Sequence, residues 1–429
     1  MILQRLVAAV FVLASASVAA RDLSLADAER LLGERNRELI AARRTLESAG
    51  VQREIAAVRP NPTLSLNSSS ISNHPGTGPG PANQWRIDTI LRIDQPIERG
   101  GKRELRMDAA EGLERAARGD SLDVLRTQLA QVRGAYYDLK QAEEKVTVLA
   151  ETAQLFGRTL SAAQARLKAG DLAAADVAKV QVDHERAQND ARGAEADLAR
   201  ARLALAYMIG EERDAAALRA GDAWPPVERP DPAAVERAVA GSVETRPDVV
   251  AARARVAAAE KLRDLAKSQQ TRDITIGAQY ERNPINAPSS VTGAPVDSVG
   301  FGISLPLFTG NDFSADIRRA EVDRYAALDA LERVRAVAGS EVRRAASDLA
   351  AAAERVERYD STLLQAAQRT AQAVEFAFQR GANSVLEVLD ARRTLRAVRL
   401  EALAARTDYA KALAAWRASQ TTVDMLGTK

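Results

Sequence analysis

Side chains that carry catalytic or metal chemistry are scarce in this chain of 429 residues. Cysteine is absent, which excludes disulfides, thiolate metal sites, a cysteine nucleophile and a lipid-modified N-terminal cysteine. The two histidines are too few for an imidazole-rich metal site, and we expect His184 at the surface and His74 in an external loop. The sequence shows neither a catalytic constellation nor a phosphate loop. It therefore predicts a protein that is not an enzyme and holds no cofactor or metal.

The charges of the chain are balanced and evenly spread. Lysine plus arginine number 60, aspartate plus glutamate number 58, and the net charge is +2. A nucleic-acid-binding protein needs a clustered basic surplus, so we expect no nucleic-acid partner. Interspersed charges indicate long solvated helices, and an aromatic content of 4% suits helical assemblies rich in alanine and leucine.

The first residues have the pattern of an export signal. Arg5 precedes an apolar run over 6–16, and the small residues that follow allow cleavage after Ala19 or Ala20. A membrane anchor is the alternative, but the run is shorter than the ~20 residues of a spanning helix. No later segment is long and apolar enough for such a helix, so a helical inner-membrane protein is excluded. We expect an exported chain.

The chain repeats itself with a shift of 210 residues. The matches run in order and include prolines and strand patterns, which chance similarity between alanine-rich helices would not align. The matched pairs are 39–43 with 249–253, 64–66 with 274–276, 93–96 with 303–306, Gly100 with Gly310, and Gly170 with Gly381 at a shift of 211. The predicted divisions are a signal peptide at 1–20, repeat 1 at 21–209, an equatorial connecting segment at 210–232, repeat 2 at 233–420 and a tail at 421–429.

Both repeats have the same predicted order of elements. A helix comes first, and a strand hairpin, a long helix, a tip turn and a return helix follow it. The predicted bounds are 24–58 and 231–268 for the first helix, about 62–95 and 273–306 for the hairpin, 103–168 and 313–379 for the long helix, and 169–172 and 380–384 for the tip. The elbows where the strand pattern changes to a helix pattern contain Pro96 and Gly100, and Pro306 and Gly310.

The strand segments alternate between apolar and polar residues. In the first copy Leu91 and Ile93 alternate with Arg92 and Asp94, which gives one apolar and one charged face. The runs last about 9–11 residues, the length of a tilted transmembrane strand. An amphipathic sheet in a soluble domain has the same local pattern, so the strands alone leave both interpretations open.

The long helices have coiled-coil spacing. The apolar seam consists of Leu122, Leu125, Leu129, Val132, Tyr136 and Leu139 in the first copy and of Val342, Leu349, Val356 and Leu363 in the second. A helix of about 66 residues is ~100 Å long, so it must lie in a rod or a barrel of helices. Strands attached to it in lipid must pair every backbone group, which requires several chains and roughly 8, 12 or more strands.

Glycine ends each long helix at a predicted tip. Gly170 and Gly381 can adopt the left-handed conformation that closes a helix. Asp171 and Ser384 are the predicted N-caps of the return helices. Glu387 follows Ser384 by three residues, which is the spacing of a capping box.

Three segments resemble a known family, the TolC-type outer-membrane efflux proteins, and in particular its CzcC-like cation-efflux branch. They are Arg-Pro-Asn-Pro-Thr-Leu-Ser at 59–65, Gln-Pro-Ile-Glu-Arg-Gly-Gly-Lys-Arg at 95–103 and Ser-Leu-Pro-Leu-Phe at 304–308. Residues 309–312 depart from the Arg-Asn that usually continues the last motif. The resemblance implies a homotrimer with a twelve-stranded β-barrel in outer-membrane lipid, continuous with a long periplasmic α-helical coiled-coil barrel. It also implies a periplasmic adaptor (membrane fusion) protein and an inner-membrane RND pump as partners.

The resemblance places functional residues at the tips. Glu387 and Asp390 fall on acidic positions that line the periplasmic gate as selectivity rings, and three chains would bring about six carboxylates together, a field that attracts cations. Asp176 falls on an acidic position that holds the closed state, while Asn383 replaces its usual basic partner. The turns that meet the adaptor contain Gly170, Asp171, Gly381 and Ser384. A purely capping role for Glu387 is the alternative.

The resemblance thus implies a passive outer-membrane duct of a tripartite RND-type efflux system. Divalent heavy-metal cations are the cargo expected for the CzcC-like branch. Two alternatives stay open at this point. The same fold could serve multidrug efflux or type I secretion, or the chain could be a secreted coiled-coil scaffold or adhesin without a pore.

Overall fold

The computed structural model describes residues 21–69, 88–283, 296–380 and 382–427. The expected signal peptide at 1–20, His74 and Gly381 lie outside these residues. The chain forms two compact units. The helical unit contains the described residues of 1–41, 122–246 and 338–429, and the strand unit contains those of 42–121 and 247–337.

A pair of helices, a strand hairpin and a helical hairpin follow each other in both copies. In the first copy they are β1 (Arg21–Leu23), α1 (Leu25–Arg35), α2 (Arg37–Ala56), β2 (Thr63–Ser69), β3 (Asp88–Ile97), α3 (Lys102–Ala169), α4 (Ala174–Ile209) and β4 (Leu218–Ala220). In the second copy they are α5 (Pro232–Ser242), α6 (Pro247–Ser268), β5 (Ile274–Asn283), β6 (Val296–Ser304), α7 (Ser314–Arg358), α8 (Leu364–Gln379), α9 (Val385–Ser419) and α10 (Val423–Gly427).

The strand unit contains one antiparallel sheet of four strands in the order β2-β3-β5-β6. The register places apolar residues opposite each other: Leu91 pairs with Leu66 on one side and with Tyr280 on the other, and Tyr280 pairs with Val299. Every second residue of a strand points to the same face, so these rows form one apolar face. Its exposed members are Leu64, Leu66, Leu91, Ile93, Ile276, Tyr280, Val299, Phe301 and Ile303.

The opposite face of the sheet is polar. Arg92 and Asp94 lie there and form an ion pair of 2.8 Å. Gly277 pairs with Asp94 and Gly300 with Gln279, and the glycines leave room for these polar side chains to lie on the sheet. The predicted fold class is confirmed for the chain: it is mixed α and β, with four strands in one sheet and long helices in two copies.

The core of the helical unit surrounds the first residues of the described chain. β1 pairs in parallel with β4, and Leu23 of β1 is 1% exposed. The hydroxyl of the fully buried Tyr136 donates to the carbonyl of Leu23 and accepts from the backbone N–H of Asp222, both at 3.0 Å. Burial raises the pKa of this hydroxyl, so it remains protonated and keeps both bonds. The long helix α3 is thereby joined to the N-terminal strand and to the connecting segment.

Two predicted helices are interrupted in the structure. The expected helix over 24–58 is divided at Asn36, whose buried side chain accepts from the N–H of Leu39 and donates to the carbonyl of Met208. Asparagine competes in this way with the helical backbone, which explains the break. The expected helix over 231–268 is divided by a tight turn at Val243–Thr245.

The second long helix contains a π-helical turn at Tyr359–Leu363, which the sequence analysis did not foresee. The extra residue directs two neighbouring side chains to α9, where Tyr359 donates to Glu401 and Asp360 accepts from Arg406. The predicted apolar seam is buried before this turn and becomes exposed at it. Val342 and Val356 are at most 3% exposed, but Leu363 is 38% exposed because the turn shifts the helix face.

None of the described helices has a stretch long and apolar enough to cross a membrane.

We expect Tyr136→Phe to destabilise the helical unit by about 1–3 kcal/mol, because a buried carbonyl and a partly buried N–H both lose their partner. Thermal unfolding of the purified protein measures the change. Tyr359→Phe is the matched control, because it removes only an exposed hydroxyl bonded to Glu401. Equal unfolding midpoints for the two variants would contradict the proposed role of Tyr136.

Candidate functional site

The first tip closes with a hydrogen-bond pattern that requires glycine. Gly170 has φ +83°, its N–H donates to the carbonyl of Leu167 at 3.0 Å, and the N–H of Asp171 donates to that of Arg166 at 2.9 Å. These two bonds satisfy the free carbonyls at the end of α3. The prediction that Asp171 caps the return helix is wrong. The N-cap of α4 is Ala173, without a side-chain bond, because Asp171 lies two residues too early and its backbone closes the preceding helix.

The second tip is capped by a side chain. The N–H of Ala382 donates to the carbonyl of Ala377 at 2.9 Å, the same bond that Asp171 makes in the first tip. Ser384 is the N-cap of α9, and its Oγ accepts from the N–H of Glu387 at 3.3 Å. The predicted cap is therefore confirmed. Gly381 lies outside the described residues.

The structure places Glu387 and Asp390 together but not Asp176. Glu387 and Asp390 are exposed, lie within the first two turns of α9 and line the same cavity of about 680 Å³ between α8 and α9. Among the described residues neither carboxylate has a cationic partner. Asp176 instead pairs with Lys179 of its own helix at 3.3 Å. The roles that the resemblance implied for these three residues stay predictions.

Arginines of α9 join the second hairpin to the first, which the sequence analysis missed. Arg393 donates to Asp183 of α4 at 2.7 Å, and Arg392 donates to the carbonyl of Leu155 in α3 at 3.3 Å. Two further pairs follow along α9: Arg396 with Asp190 at 2.8 Å, and Arg399 with Glu151 at 3.4 Å. A ladder of arginines therefore connects one helix of the second hairpin to both helices of the first.

The Arg393–Asp183 pair differs from the others by the burial of its carboxylate. The side chain of Asp183 is only 6% exposed, whereas those of Asp190 and Glu151 are 46% and 57% exposed. Exposed pairs add little stability, but a buried carboxylate that loses its partner is strongly unfavourable. Asp183 follows Val180 and precedes Ala187, both of which are buried. A charged residue on this apolar face is the sequence signal that could have identified the pair.

His184 is also more enclosed than expected. It is half-buried rather than at the surface, its ring lies against Gly157 of α3, and its Nε2 is 2.9 Å from Gln188 Nε2. This contact adds to the apolar packing between the two helices of the first hairpin.

The elbow of the first copy lies in the strand unit and is held by an ion pair whose lysine is buried. Lys102, which is 5% exposed, donates to both carboxylate oxygens of Asp273 at 2.9 Å and to the carbonyl of Thr271 at 2.9 Å. Gly100 has φ +74°, and a Cβ there would lie 2.8 Å from the Thr271 side chain. Pro96 belongs to β3, where it is paired with Thr275 of β5.

A second ion pair holds the start of α3 in this elbow. Arg106 Nη2 lies 2.9 Å from Glu98 Oε2, and the Glu98 side chain is 18% exposed. The Arg106 guanidinium holds the pKa of Glu98 below its usual value. The stabilisation is therefore present at neutral pH and is lost only as the pH falls through that lowered pKa.

The elbow of the second copy has a different construction. Pro306 lies beyond the end of β6 at Ser304, and a Cβ added to Gly310 would meet nothing within 4 Å. The left-handed residue here is Phe313, with φ +61°. Its N–H donates to Asn311 Oδ1 at 2.9 Å, and its ring meets that of Phe308 edge to face. Gly310 thus does not repeat the role of Gly100.

These features together define a class of protein. Two helical hairpins are joined by charged contacts, and acidic residues lie near one tip. The strands of the same chain form a sheet with an uncovered apolar face. The sequence matches the family model "Outer membrane efflux protein" over residues 30–211 and 242–419. The chain therefore belongs to this family of outer-membrane efflux channels.

Individual relatives agree with this assignment. The chain is 28% identical over 390 residues to the cobalt-zinc-cadmium resistance protein CzcC of Cupriavidus metallidurans, with 90% of this chain and 87% of that protein covered. The outer membrane protein VceC of Vibrio cholerae has a similar structure, with a TM-score of 0.73, 19% identity and coverage of 93% and 96%. A membrane protein of Pseudomonas aeruginosa gives a TM-score of 0.76, 18% identity and coverage of 94% and 95%.

We expect Asp183 and Arg393 to show a coupling of about 2 kcal/mol in a double-mutant cycle built from Asp183→Ala and Arg393→Ala, because the buried Asp183 carboxylate loses its charged partner. Chemical unfolding of the two single variants and the double variant gives this number. The matched cycle with Asp190→Ala and Arg396→Ala should show no measurable coupling, since that pair is exposed. A larger coupling energy for Asp190 and Arg396 than for Asp183 and Arg393 would contradict the special role of the buried carboxylate.

We expect Gly100→Ala to destabilise the protein by about 1–2 kcal/mol, because its left-handed backbone disfavours a Cβ, and the clash with Thr271 adds to this strain. Gly310→Ala, at the corresponding position of the second copy, should leave stability unchanged. Thermal unfolding of both variants tests the difference. Similar losses at the two glycines would show that the elbows are equivalent after all.

Proposed function

We propose that this chain is exported to the outer membrane by its first 20 residues and serves there as the channel of a tripartite efflux system. In this proposal it forms a homotrimer that conducts divalent heavy-metal cations passively from an inner-membrane RND pump and a periplasmic adaptor to the exterior. The observation that carries the proposal is the sheet, which has an apolar face and two free edges in a family of outer-membrane efflux proteins.

The sheet supports assembly in lipid. Within the described chain β2 and β6 each have a neighbour on one side only, so a row of backbone donors and acceptors remains open on each edge. Lipid offers no hydrogen bonds, and such edges must be paired by closing the sheet. Pairing the edges with those of identical chains satisfies them, and three chains give a twelve-stranded barrel. A secreted scaffold without a pore would have no use for the exposed apolar face.

The tips support passage of cations and docking. Glu387 and Asp390 carry carboxylates without a cationic partner among the described residues, and three copies would present about six of them. The turns around Gly170 and Ser384 are tightly closed and place short exposed backbone at the hairpin ends. These turns are the surface that we assign to the adaptor.

The proposed cargo rests on two observations, the acidic residues near the tip and the description of a relative. A ring of carboxylates favours cations over anions, and the relative CzcC is described as a cobalt-zinc-cadmium resistance protein. Multidrug efflux is the competing function for the same fold. A deletion strain decides between them: lower tolerance to zinc, cobalt or cadmium supports the metal cargo. Unchanged metal tolerance together with lower drug tolerance would reject it.

We expect Glu387→Gln combined with Asp390→Asn to reduce the cation selectivity of the channel, because the substitutions remove the negative charge and keep the shape. The measurement is the reversal potential of the purified protein in a planar bilayer under a salt gradient. Glu195→Gln is the control. It neutralises an exposed residue on a different helix, α4, and should leave the potential unchanged. Unaltered selectivity in the double variant would remove the ring assignment, and absence of any conductance would reject the channel.

A further inference from the structure

The space between α8 and α9 is an open groove with a mainly apolar lining. Its volume of about 680 Å³ falls within the range of ligand pockets, roughly 300–1,000 Å³. The walls are mainly apolar, with Leu363 and Val374 on one helix and Leu386 and Val398 on the other. A cavity of this kind favours an apolar body, because burial of apolar surface is the main source of affinity.

The sequence explains why this space is open. On the α8 side the wall contains Ala366, Ala367 and Thr370, whose side chains are too short to reach across to α9. The π-helical turn ends at Leu363, and it directs this leucine to the cavity instead of the apolar seam. The larger side chains of the hairpin, such as Phe378 and Leu389, pack on the other side against the first hairpin.

One end of the cavity is acidic. Glu387 and Asp390 line it close to the tip, and no lysine, arginine or histidine contributes to the wall among the described residues. Glu375 of α8 is different, because it forms an ion pair with Arg392 at 2.7 Å. The two carboxylates of the cavity are therefore available to a cationic group from outside the chain.

We propose that this cavity, the α8–α9 groove, binds organic cations with an apolar body. The body lies along the small residues of α8, and the positive head lies between Glu387 and Asp390. A hydrated metal ion uses only the acidic end, and the described residues contain no cluster of His, Cys, Asp or Glu that could hold a metal ion. The groove thus provides a binding function that goes beyond the conduction of metal cations.

The test measures binding to the full-length protein in nanodiscs of zwitterionic lipid, with empty nanodiscs subtracted. The probe is octyltrimethylammonium, and tetramethylammonium and 1-octanol represent its head and its tail alone. We expect each part alone to bind at least about tenfold more weakly than the complete probe, a difference of roughly 1.4 kcal/mol. Tetramethylammonium binding as tightly as the probe would overturn the proposal, because it would indicate a charge effect without the apolar groove.

Substitutions separate the shape of the groove from its charge. Ala366→Leu fills the groove and keeps both carboxylates, whereas Ala373→Leu adds the same side chain to an exposed position of α8 outside the groove. We expect the first to weaken probe binding at least about tenfold and the second to leave it unchanged. Glu387→Gln with Asp390→Asn should weaken binding, and Glu195→Gln should not. Unchanged binding in Ala366→Leu would place the probe elsewhere.

The outcome is independent of the channel proposal. If wild-type protein binds no probe, the groove is filled in the assembled protein, for example by a second copy of the chain, and the proposed binding site is rejected. Bilayer conductance and cation selectivity of the same preparation then still decide whether the protein is a channel. Ala366→Leu should retain cation selectivity, because its carboxylates are intact.

Discussion

Unpaired backbone groups at the edges of the four-stranded sheet are the constraint on which the remaining architecture depends. β2 and β6 have a neighbour on one side only within the described chain, and the apolar residues between them have no cover. In lipid both problems have the same solution, which is closure of the sheet with other copies. The elbows must then pass the chain from a strand to a helix without leaving further polar groups buried and unpaired, and each does so with a compact set of side-chain bonds.

The two copies solve this problem with different residues. The first uses Gly100 and the ion pair of Lys102 with Asp273, and the second uses Phe313 held by Asn311. The tips differ as well, since only the second return helix has a side-chain cap. The duplicated chain is thus regular in its backbone and asymmetric in its polar contacts. Such asymmetry gives the second hairpin its own properties, including the π-helical turn and the groove beside it.

The parts of the fold that follow from local pattern could be predicted from the sequence. Alternation predicted the strands, apolar spacing predicted the long helices, and glycine and serine predicted the closures at Gly170 and Ser384. The missed features depend on distant partners. The π-helical turn orients side chains toward α9, and Arg393 meets a residue of the other copy, so neither is evident in a short window. Asp171 shows the limit of a local rule, because a helix closure and a helix start competed for the same few residues.

The ladder between α9 and the first hairpin has a direction. The N-caps of the two return helices, Ala173 and Ser384, are 211 residues apart, so the position equivalent to Asp183 is Thr394 and not Arg393. The contact between Asp183 and Arg393 therefore joins non-equivalent positions of the two copies. The carboxylates of the ladder lie on the first hairpin and the arginines lie on the second. Two first hairpins or two second hairpins side by side would bring like charges together, so these contacts favour the pairing of a first hairpin with a second one.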